Sequence, residues 1–243
     1  MLFIPGFMQR GDAWRPVAEL LPERYPSTLL DHAENSFEGR MREIAEQAGA
    51  AEPSRAAASG SGRPVLVGYS LGGRLALRAA LRWPDGFDAV VTVGATAGIE
   101  EGPMRSTRAE ADEKLASWIE AMPIEDIVSL WERQPLFADQ SESLVEAQRP
   151  GRLSHDPRSL ALLLRTAGQG ALDPVWHELR TLHVPLLAVA GARDEGYTAA
   201  AKRIAQVAPK ARAAIVEEAG HAAHLQQPQR VADLIVGFLD DVR

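Results

Sequence analysis

The sequence contains no cysteine, and this absence removes several kinds of chemistry at once. Disulfide bonds, thiolate metal sites and cysteine nucleophiles are all excluded. The compartment stays open on this ground, because proteins of oxidising and reducing compartments alike can lack cysteine. Any nucleophilic side chain must come from another residue type, and serine is the first candidate.

The sequence also lacks an apolar run of about 20 residues, the length that a membrane-spanning helix needs. Its first residues, Met1-Leu2-Phe3-Ile4-Pro5, have neither the charged start nor the long apolar core of a signal peptide. We therefore expect a cytoplasmic protein that has no membrane partner.

Lysine is scarce, because only three of the 26 basic residues are lysine, and the net charge is −7. An acidic chain argues against nucleic acid as a partner, since phosphate binding needs a basic face. The excess of arginine has two explanations: a genome rich in G and C, or a need for guanidinium groups that grip carboxylates. Composition does not separate the two.

The 243 residues, 46% apolar and 24% charged, suit one large globular domain with a sizeable core. Short apolar runs bounded by glycine, proline or charge predict buried parallel strands at Leu2–Ile4, Thr28–Asp31, Val65–Gly68, Ala89–Gly94, Leu186–Ala190 and Ala213–Val216. Apolar spacings of three and four predict helices between them, at Trp14–Leu21, Met41–Ala48, Leu71–Leu81, Ala199–Val207 and Val231–Leu239. Strands that alternate with helices predict an α/β fold with a mostly parallel, doubly wound sheet.

Two stretches interrupt this alternation. Residues 49–62 are rich in Ala, Ser and Gly and predict a surface loop. Residues 99–182 contain no convincing strand, but they have amphipathic segments at Glu110–Ala121, Ile127–Trp131 and Ser159–Ala167. We interpret residues 98–182 as a helical cap, inserted after the strand that ends near Gly94 into a core of residues 1–97 and 183–243. Ligands bind beyond the carboxyl ends of such strands, which is where this cap is expected.

The segment Gly68-Tyr69-Ser70-Leu71-Gly72 has the form of a nucleophile elbow. An apolar strand precedes it and a helix begins directly after it, which is the context that this motif requires. The glycines leave room for a sharp turn that strains the serine backbone and exposes its hydroxyl. We therefore predict that Ser70 is the catalytic serine.

An acid and a histidine follow in the order that this fold uses. Asp194 stands just after one predicted strand, and His221 follows the next. Taken singly, each has an ordinary structural explanation, as a helix-capping carboxylate or a surface histidine. Taken together with Ser70, they predict a triad in which His221 accepts the serine proton and Asp194 orients the imidazole.

Negative charge that develops on a substrate oxygen needs hydrogen-bond donors. The backbone N–H of Leu71 and that of Phe7, in the loop after the first strand, are the candidates for an oxyanion hole. We predict no metal and no cofactor: His221 and His224 are three residues apart with no carboxylate or cysteine ligand nearby, and the other histidines are scattered.

Four segments of the chain together resemble 2-succinyl-6-hydroxy-2,4-cyclohexadiene-1-carboxylate synthase, a menaquinone-biosynthesis family of the α/β-hydrolase superfamily. They are Gly6-Phe7 with Asp12-Ala13-Trp14, the elbow with Gly73-Arg74, the segment from Trp131 to Phe137, and Gly220-His221-Ala222-Ala223-His224 with Pro228. The elbow and the histidine segment are common to the superfamily, whereas Arg74 and Trp-x-x-Gln-Pro-Leu-Phe are more particular.

The resemblance implies a lyase that eliminates pyruvate from a cyclohexene bearing several carboxylates. It further implies that Arg74, Arg108 and Arg152 hold those carboxylates and that Tyr69 and Trp131 line the pocket. From the residues alone, Arg74 could also be a solvated helix arginine, and Trp131 could belong to the core of the cap. Arg105 is a competing candidate for the role of Arg108, and Arg149 for that of Arg152. The alternative function is a serine carboxylesterase or C–C bond hydrolase that acts on a small acidic substrate.

The chain departs from the family pattern at two places near its start. Pro5 stands where the family usually has His before Gly-Phe, and Asp31-His32-Ala33-Glu34-Asn35 replaces an expected Asp-x-Pro-Gly-x-Gly. The sequence begins at the strand that carries the oxyanion loop, so we expect a sheet without the superfamily's usual first strands. Partners are expected to be limited to the small-molecule substrate and, if the protein is not a monomer, copies of itself in a small homo-oligomer.

Overall fold

The computed structural model describes residues 1–50 and 62–242, and these form one six-stranded sheet. The strands are β1 Leu2–Ile4, β2 Thr28–Leu29, β3 Val65–Tyr69, β4 Ala89–Val93, β5 Leu186–Gly191 and β6 Ala211–Val216. Their order across the sheet is β2-β1-β3-β4-β5-β6, and every neighbouring pair is parallel. The prediction of a parallel α/β sheet is confirmed.

Helices cover both faces of this sheet. They are α1 Arg15–Ala18, α2 Phe37–Ala48, α3 Leu71–Arg82, α4 Gly102–Ala121, α5 Ile124–Glu132, α6 Glu142–Leu153, α7 Pro157–Ala167, α8 Glu195–Val207, α9 Ala223–Gln226 and α10 Pro228–Val242. Successive strand residues point to opposite faces, so Leu66 packs in one core cluster with α2, α3 and α8, whereas Val67 packs in another with α10. None of the helices in the described ranges has both the length and the apolar character to cross a membrane.

The four helices α4 to α7 lie between β4 and β5, and they share a small core of their own. Ile119 of α4, Val128 of α5 and Leu160 of α7 are buried in it, and so is Met8 of the loop that follows β1. This contact places the helices over the carboxyl ends of the strands. The boundaries of the cap at residues 98 and 182 stay a prediction.

Helix α6 has no counterpart among the predicted elements. It contains Pro150 followed by Gly151, two residues that disfavour a helix interior. The helix begins nonetheless at a Ser141 cap, whose hydroxyl accepts a hydrogen bond from Leu144 N–H at 3.3 Å. Most of the loop predicted at residues 49–62 lies outside the described residues, which omit 51–61.

Candidate active site

Ser70 occupies the turn between β3 and α3, and its backbone is strained. Its φ of 49° and ψ of −108° belong to a region that residues with a side chain rarely adopt. The neighbouring glycines are required by close approach: a Cβ at Gly68 would lie 2.3 Å from the Gly72 carbonyl oxygen, and one at Gly72 would lie 2.2 Å from that of Ile4. The chain therefore holds the Ser70 hydroxyl out above the sheet.

The three residues predicted as a triad form a hydrogen-bonded line. His221 Nε2 lies 3.0 Å from Ser70 Oγ, and His221 Nδ1 lies 2.7 Å from Asp194 Oδ2. Asp194 also caps α8, because its Oδ1 accepts a hydrogen bond from Tyr197 N–H at 3.3 Å. The capping carboxylate and the carboxylate of the line are thus the same group, which fixes Asp194 relative to the sheet.

The loop that carries His221 is held from two sides. Beneath it, Gly94 at the end of β4 has a φ of 58°, and a Cβ there would lie 3.2 Å from two atoms of the His221 ring. Before it, Gly220 N–H donates to Gln226 Oε1 at 2.8 Å, and Gln226 Nε2 donates to Asp139 Oδ2 at 3.0 Å. Asp139 belongs to the cap, so the cap helps to set the position of the imidazole.

The two N–H groups predicted for an oxyanion hole are free to donate hydrogen bonds to a substrate oxygen. Neither Phe7 N–H nor Leu71 N–H donates a hydrogen bond to another described residue. The loop of Phe7 is closed by Gly6 N–H, which donates to Gln9 Oε1 at 3.3 Å, and by a φ of 61° at Met8. These features give the loop a fixed shape beside the elbow.

Aromatic rings line the space around His221. The Tyr69 ring is buried with its centroid 5.2 Å from that of His221, and burial raises the pKa of its hydroxyl. Half-buried Trp131 stacks on Phe7 at 5.2 Å and on Phe137 at 5.5 Å, and Phe137 lies 6.2 Å from His221. Trp131 therefore connects the oxyanion loop to the histidine and does not lie in the cap core alone.

Arg74 is buried, with only 8% of its surface exposed, so it is not a solvated helix arginine. Its Nη1 donates to the Ala167 carbonyl oxygen at 2.9 Å. Burial lowers the Arg74 pKa to about 10, an effect that the phenol of Tyr197 opposes and the guanidinium of Arg108 reinforces. A guanidinium kept in a water-poor place with few partners is suited to binding a carboxylate.

The structure separates the two pairs of competing arginines. Arg108 donates to Asp112 Oδ1 at 2.7 Å and lies in range of Arg74, whereas Arg105 pairs with exposed Asp173 at 3.3 Å. On α6, Arg152 is 4% exposed and donates to Glu132 Oε1 at 3.0 Å. Its charge partly opposes the rise that burial causes in the pKa of the Tyr69 hydroxyl. Its neighbour Arg149 binds the other oxygen of Glu132 from a more exposed position. Arg108 and Arg152 are therefore the members on the Tyr69 and Tyr197 side.

Tyr197 and Gln169 complete this wall, and the sequence did not indicate either of them. The Tyr197 ring lies 4.4 Å from that of His221, and its hydroxyl accepts a hydrogen bond from Gln169 Nε2 at 2.8 Å. Burial raises the pKa of Tyr197. Its position one helical turn after Asp194 was the only available signal, because Gln169 comes from a distant part of the chain.

His224 lies behind the site and is fully buried. Its ring lies between those of Trp14 and Tyr69, with centroid separations of 4.5 and 4.2 Å and tilted planes, and neither ring nitrogen has a hydrogen-bond partner within the described chain. Burial, reinforced by His221, lowers the pKa of His224 to about 3. No group of three or more His, Asp or Glu side chains in residues 1–50 and 62–242 is arranged to hold a metal ion.

A parallel sheet, a strained serine at a strand-to-helix turn and a serine–histidine–aspartate line define one class of enzymes, the α/β hydrolases. The sequence profile of the alpha/beta hydrolase family matches residues 1–234. Two solved structures share the fold. MenH from S. aureus has a TM-score of 0.89 and 24% sequence identity, and the match covers 99% of this chain and 93% of that one. A malate-bound esterase from Thermogutta terrifontis has a TM-score of 0.76 and 19% sequence identity, and the match covers 99% of this chain and 89% of that one.

Curated relatives narrow the class. A 2-succinyl-6-hydroxy-2,4-cyclohexadiene-1-carboxylate synthase of Enterobacter sp. (strain 638) is 30% identical over 98% of this chain and 91% of its own length. A putative synthase of the same name from Bacillus subtilis (strain 168) is 33% identical over 73% of this chain and 66% of its own length. The chain belongs to the α/β-hydrolase family and, within it, to the 2-succinyl-6-hydroxy-2,4-cyclohexadiene-1-carboxylate synthase family.

Proposed function

We propose that this enzyme is a carbon–oxygen lyase of menaquinone biosynthesis. It eliminates pyruvate from 2-succinyl-5-enolpyruvyl-6-hydroxy-3-cyclohexene-1-carboxylate and gives 2-succinyl-6-hydroxy-2,4-cyclohexadiene-1-carboxylate. The observation that carries the proposal is that buried Arg74 and Arg152, together with Arg108, lie within electrostatic range of Tyr69 or Tyr197, the two tyrosines whose rings flank His221.

The reaction begins at the ring carbon that bears the succinyl ketone. Its hydrogen is acidic because the electron pair left behind spreads onto the ketone oxygen. Ser70 Oγ removes this proton as His221 Nε2, 3.0 Å away, takes the serine proton, and Asp194 stabilises the imidazolium. The N–H groups of Phe7 and Leu71 donate to the ketone oxygen as it becomes an enolate.

Collapse of the enolate completes the elimination. The ring double bond moves by one position, a second double bond forms at the deprotonated carbon, and the bond from the ring to the enolpyruvyl oxygen breaks. The departing enolpyruvate takes up a proton and becomes pyruvate, so atoms and charge balance without a cofactor. Ser70 acts here as a proton carrier and forms no acyl intermediate.

The arginines explain why a carboxylate-rich substrate would be selected. The substrate bears three carboxylates, on the ring, the succinyl arm and the enolpyruvyl group. A guanidinium binds a carboxylate through two parallel hydrogen bonds, which are stronger where water is excluded. A pocket for neutral esters would gain nothing from burying Arg74, because its one hydrogen bond in the described chain goes to the neutral Ala167 carbonyl and no carboxylate there offsets the desolvation of its charge.

The triad alone fits a serine carboxylesterase or a C–C bond hydrolase equally well. A serine 3.0 Å from its histidine, with two free N–H groups beside it, could also form an acyl-enzyme. The two functions differ in the product released. The cytoplasmic location and a monomeric or small homo-oligomeric state also stay predictions.

The deciding experiment supplies purified protein with the enolpyruvyl substrate and, in parallel, with aryl acetates. Pyruvate release is followed with a coupled dehydrogenase, and ester cleavage by colour. We expect pyruvate release that falls by about 100-fold in kcat/KM in Arg74→Gln. Arg82→Gln is the matched control, because Arg82 lies on the same helix and is half-exposed. Rapid ester turnover with no pyruvate would show that the protein is a hydrolase.

A further inference from the structure

A second cavity of about 230 Å³ lies between the loop after β1, the segment after β2 and the junction of α6 and α7. Arg10, His32, Arg40 and His155 line it, and none of the residues of the Ser70 line or its aromatic wall does. The cavity is therefore separate from the site described above. Such a volume accommodates several water molecules or one small polyatomic ion.

Three of the residues that line this cavity each have a side-chain nitrogen that is buried without a hydrogen-bond partner in the described chain. They are His32 Nε2, Arg40 Nη1 and His155 Nε2. His32 and Arg40 are 8% and 5% exposed, so more than nine-tenths of each is buried. Buried polar groups are nearly always paired in folded proteins, so three orphaned nitrogens on residues of one cavity lining require an explanation.

The orientation of His32 is fixed from behind by Glu43. His32 Nδ1 lies 2.6 Å from Glu43 Oε2, while the other oxygen of Glu43 accepts hydrogen bonds from Ala33 N–H and Glu34 N–H at 2.8 Å. Nδ1 therefore carries the proton, and Nε2 is the ring nitrogen left without a partner in the described chain. Glu43 also supplies the negative charge that would support a second proton on the ring.

The carboxylates that line the cavity are already occupied by other donors. Asp31 accepts from Gly11 N–H at 3.2 Å and lies 3.9 Å from Arg10 Nη1. Asp156 caps α7 through Ser159, whose N–H and hydroxyl both donate to it at 2.9 Å. The groups left without partners are thus a guanidinium and two imidazoles, which become three donors once the imidazoles are protonated.

We propose that this cavity binds a small oxyanion, held by Arg40 Nη1 and by the Nε2 atoms of His32 and His155. The ligand class is a compact ion with several acceptor oxygens, either a free inorganic anion such as phosphate or a small free carboxylate such as pyruvate. A cation is disfavoured, because Arg10 and Arg40 belong to the lining and its two carboxylates, Asp31 and Asp156, already accept hydrogen bonds from the protein. The site is independent of the proposed lyase reaction.

Anion binding here takes up protons. Burial lowers the pKa of His32, and burial together with Arg10 and Arg40 lowers that of His155 to about 4, so both rings are neutral at pH 8 without a ligand. A bound anion would stabilise the protonated form of each ring and so raise its pKa. The charged groups around the two rings are Arg10, Asp31, Arg40, Glu43 and Asp156. Affinity for sulfate, which does not itself titrate near neutrality, therefore rises as the pH falls from 8 to 6, by up to about tenfold per pH unit for each proton taken up.

The test is calorimetric titration of the full-length protein with phosphate, sulfate, pyruvate and succinate. Binding of phosphate and sulfate alone identifies an inorganic anion, whereas tighter binding of pyruvate or succinate identifies a carboxylate. We expect Arg40→Gln and His155→Gln each to weaken binding by about tenfold or more. Exposed Arg42 on the same helix and exposed His177 supply the controls Arg42→Gln and His177→Gln.

Three results would overturn the proposal. The first is no binding of any of the four anions at roughly millimolar concentration. The second is binding that Arg40→Gln and His155→Gln leave unchanged. The third is binding that Arg74→Gln abolishes, since the anion would then occupy the site beside Ser70. If Arg40→Gln fails to fold, His155→Gln still decides, because its half-buried side chain makes no other hydrogen bond in the described chain.

Discussion

The core half and the cap half of the active site are held in position by different means. Ser70, Asp194 and His221 stand just beyond the ends of β3, β5 and β6, and the sheet holds their side chains at hydrogen-bonding distances from one another. Arg108 and Arg152 stand on α4 and α6, and they are held by the side chains of Asp112 and Glu132. Backbone geometry positions the chemistry, whereas ion pairs position the groups proposed to select the substrate. Changes in the core half should therefore abolish turnover or folding, and changes in the cap half should alter affinity.

The largest effect is expected from Ser70→Ala. Loss of the proton carrier should lower kcat for pyruvate release by about 10⁴-fold, because members of a triad act as a unit. Substrate affinity, measured by calorimetry on the inactive protein, should stay within about threefold, since the arginines remain. A variant that kept more than about a tenth of the activity would remove Ser70 from the mechanism.

Replacing a glycine by alanine should destabilise the protein more in the core half than in the cap half. A Cβ at Gly72 would meet two backbone oxygens of the Ile4-Pro5 segment, at 2.2 and 2.6 Å, so Gly72→Ala should cost about 3 kcal/mol in the free energy of unfolding. Gly102, at the start of α4 in the cap, has open space around it, and Gly102→Ala should change stability by less than about 0.5 kcal/mol. Urea unfolding measures both. Equal losses would mean that the cap is packed as tightly as the elbow.

A smaller and more selective effect is expected from Arg108→Gln in the cap. KM should rise by about tenfold with little change in kcat, because the interaction serves substrate binding. Arg105→Gln, on the same helix with exposed Asp173 as its partner, should change KM by less than about twofold. Steady-state pyruvate release gives both constants, and thermal melting checks that loss of the Asp112 partner has not unfolded the protein. A fall in kcat alone would assign Arg108 to the chemical step.

The last prediction concerns the pH dependence of stability. The pKa of His224 falls from 6.5 to about 3 in the folded core, so between those values the unfolded chain binds more protons and stability drops as pH falls, by up to about 1.4 kcal/mol per pH unit. His224→Phe should remove this slope, and exposed His177→Gln should not. On the cap side, His155→Gln should remove a contribution confined to pH 4 to 6.5. Urea titrations in buffer free of phosphate and sulfate make the comparison. Unchanged slopes would mean that the rings titrate freely when folded.

The sequence predicted the core half better than the cap half for a physical reason. β3 and α3 leave strong local signals, because an apolar run, flanking glycines and an amphipathic helix follow one another without a gap, and each predicted boundary lies within one residue of the observed one. Helix α6 was missed because Pro150 and Gly151 argue locally against a helix that tertiary packing and ion pairs support. Tyr197 and Gln169 meet only in the folded chain, so no local pattern identified them.

Glu132 has a consequence for ligand design. It lies between Arg149 and Arg152 and binds one of its oxygens to each, so the trio carries two positive charges and one negative charge. A single additional carboxylate would bring the cluster to neutrality. An inhibitor with one carboxylate placed against Arg152 should therefore bind more tightly than its amide, which would leave the net positive charge of the trio uncompensated. A second carboxylate there would be repelled by Glu132. If Arg152 binds a substrate carboxylate as proposed, Glu132 limits this position to one anionic group.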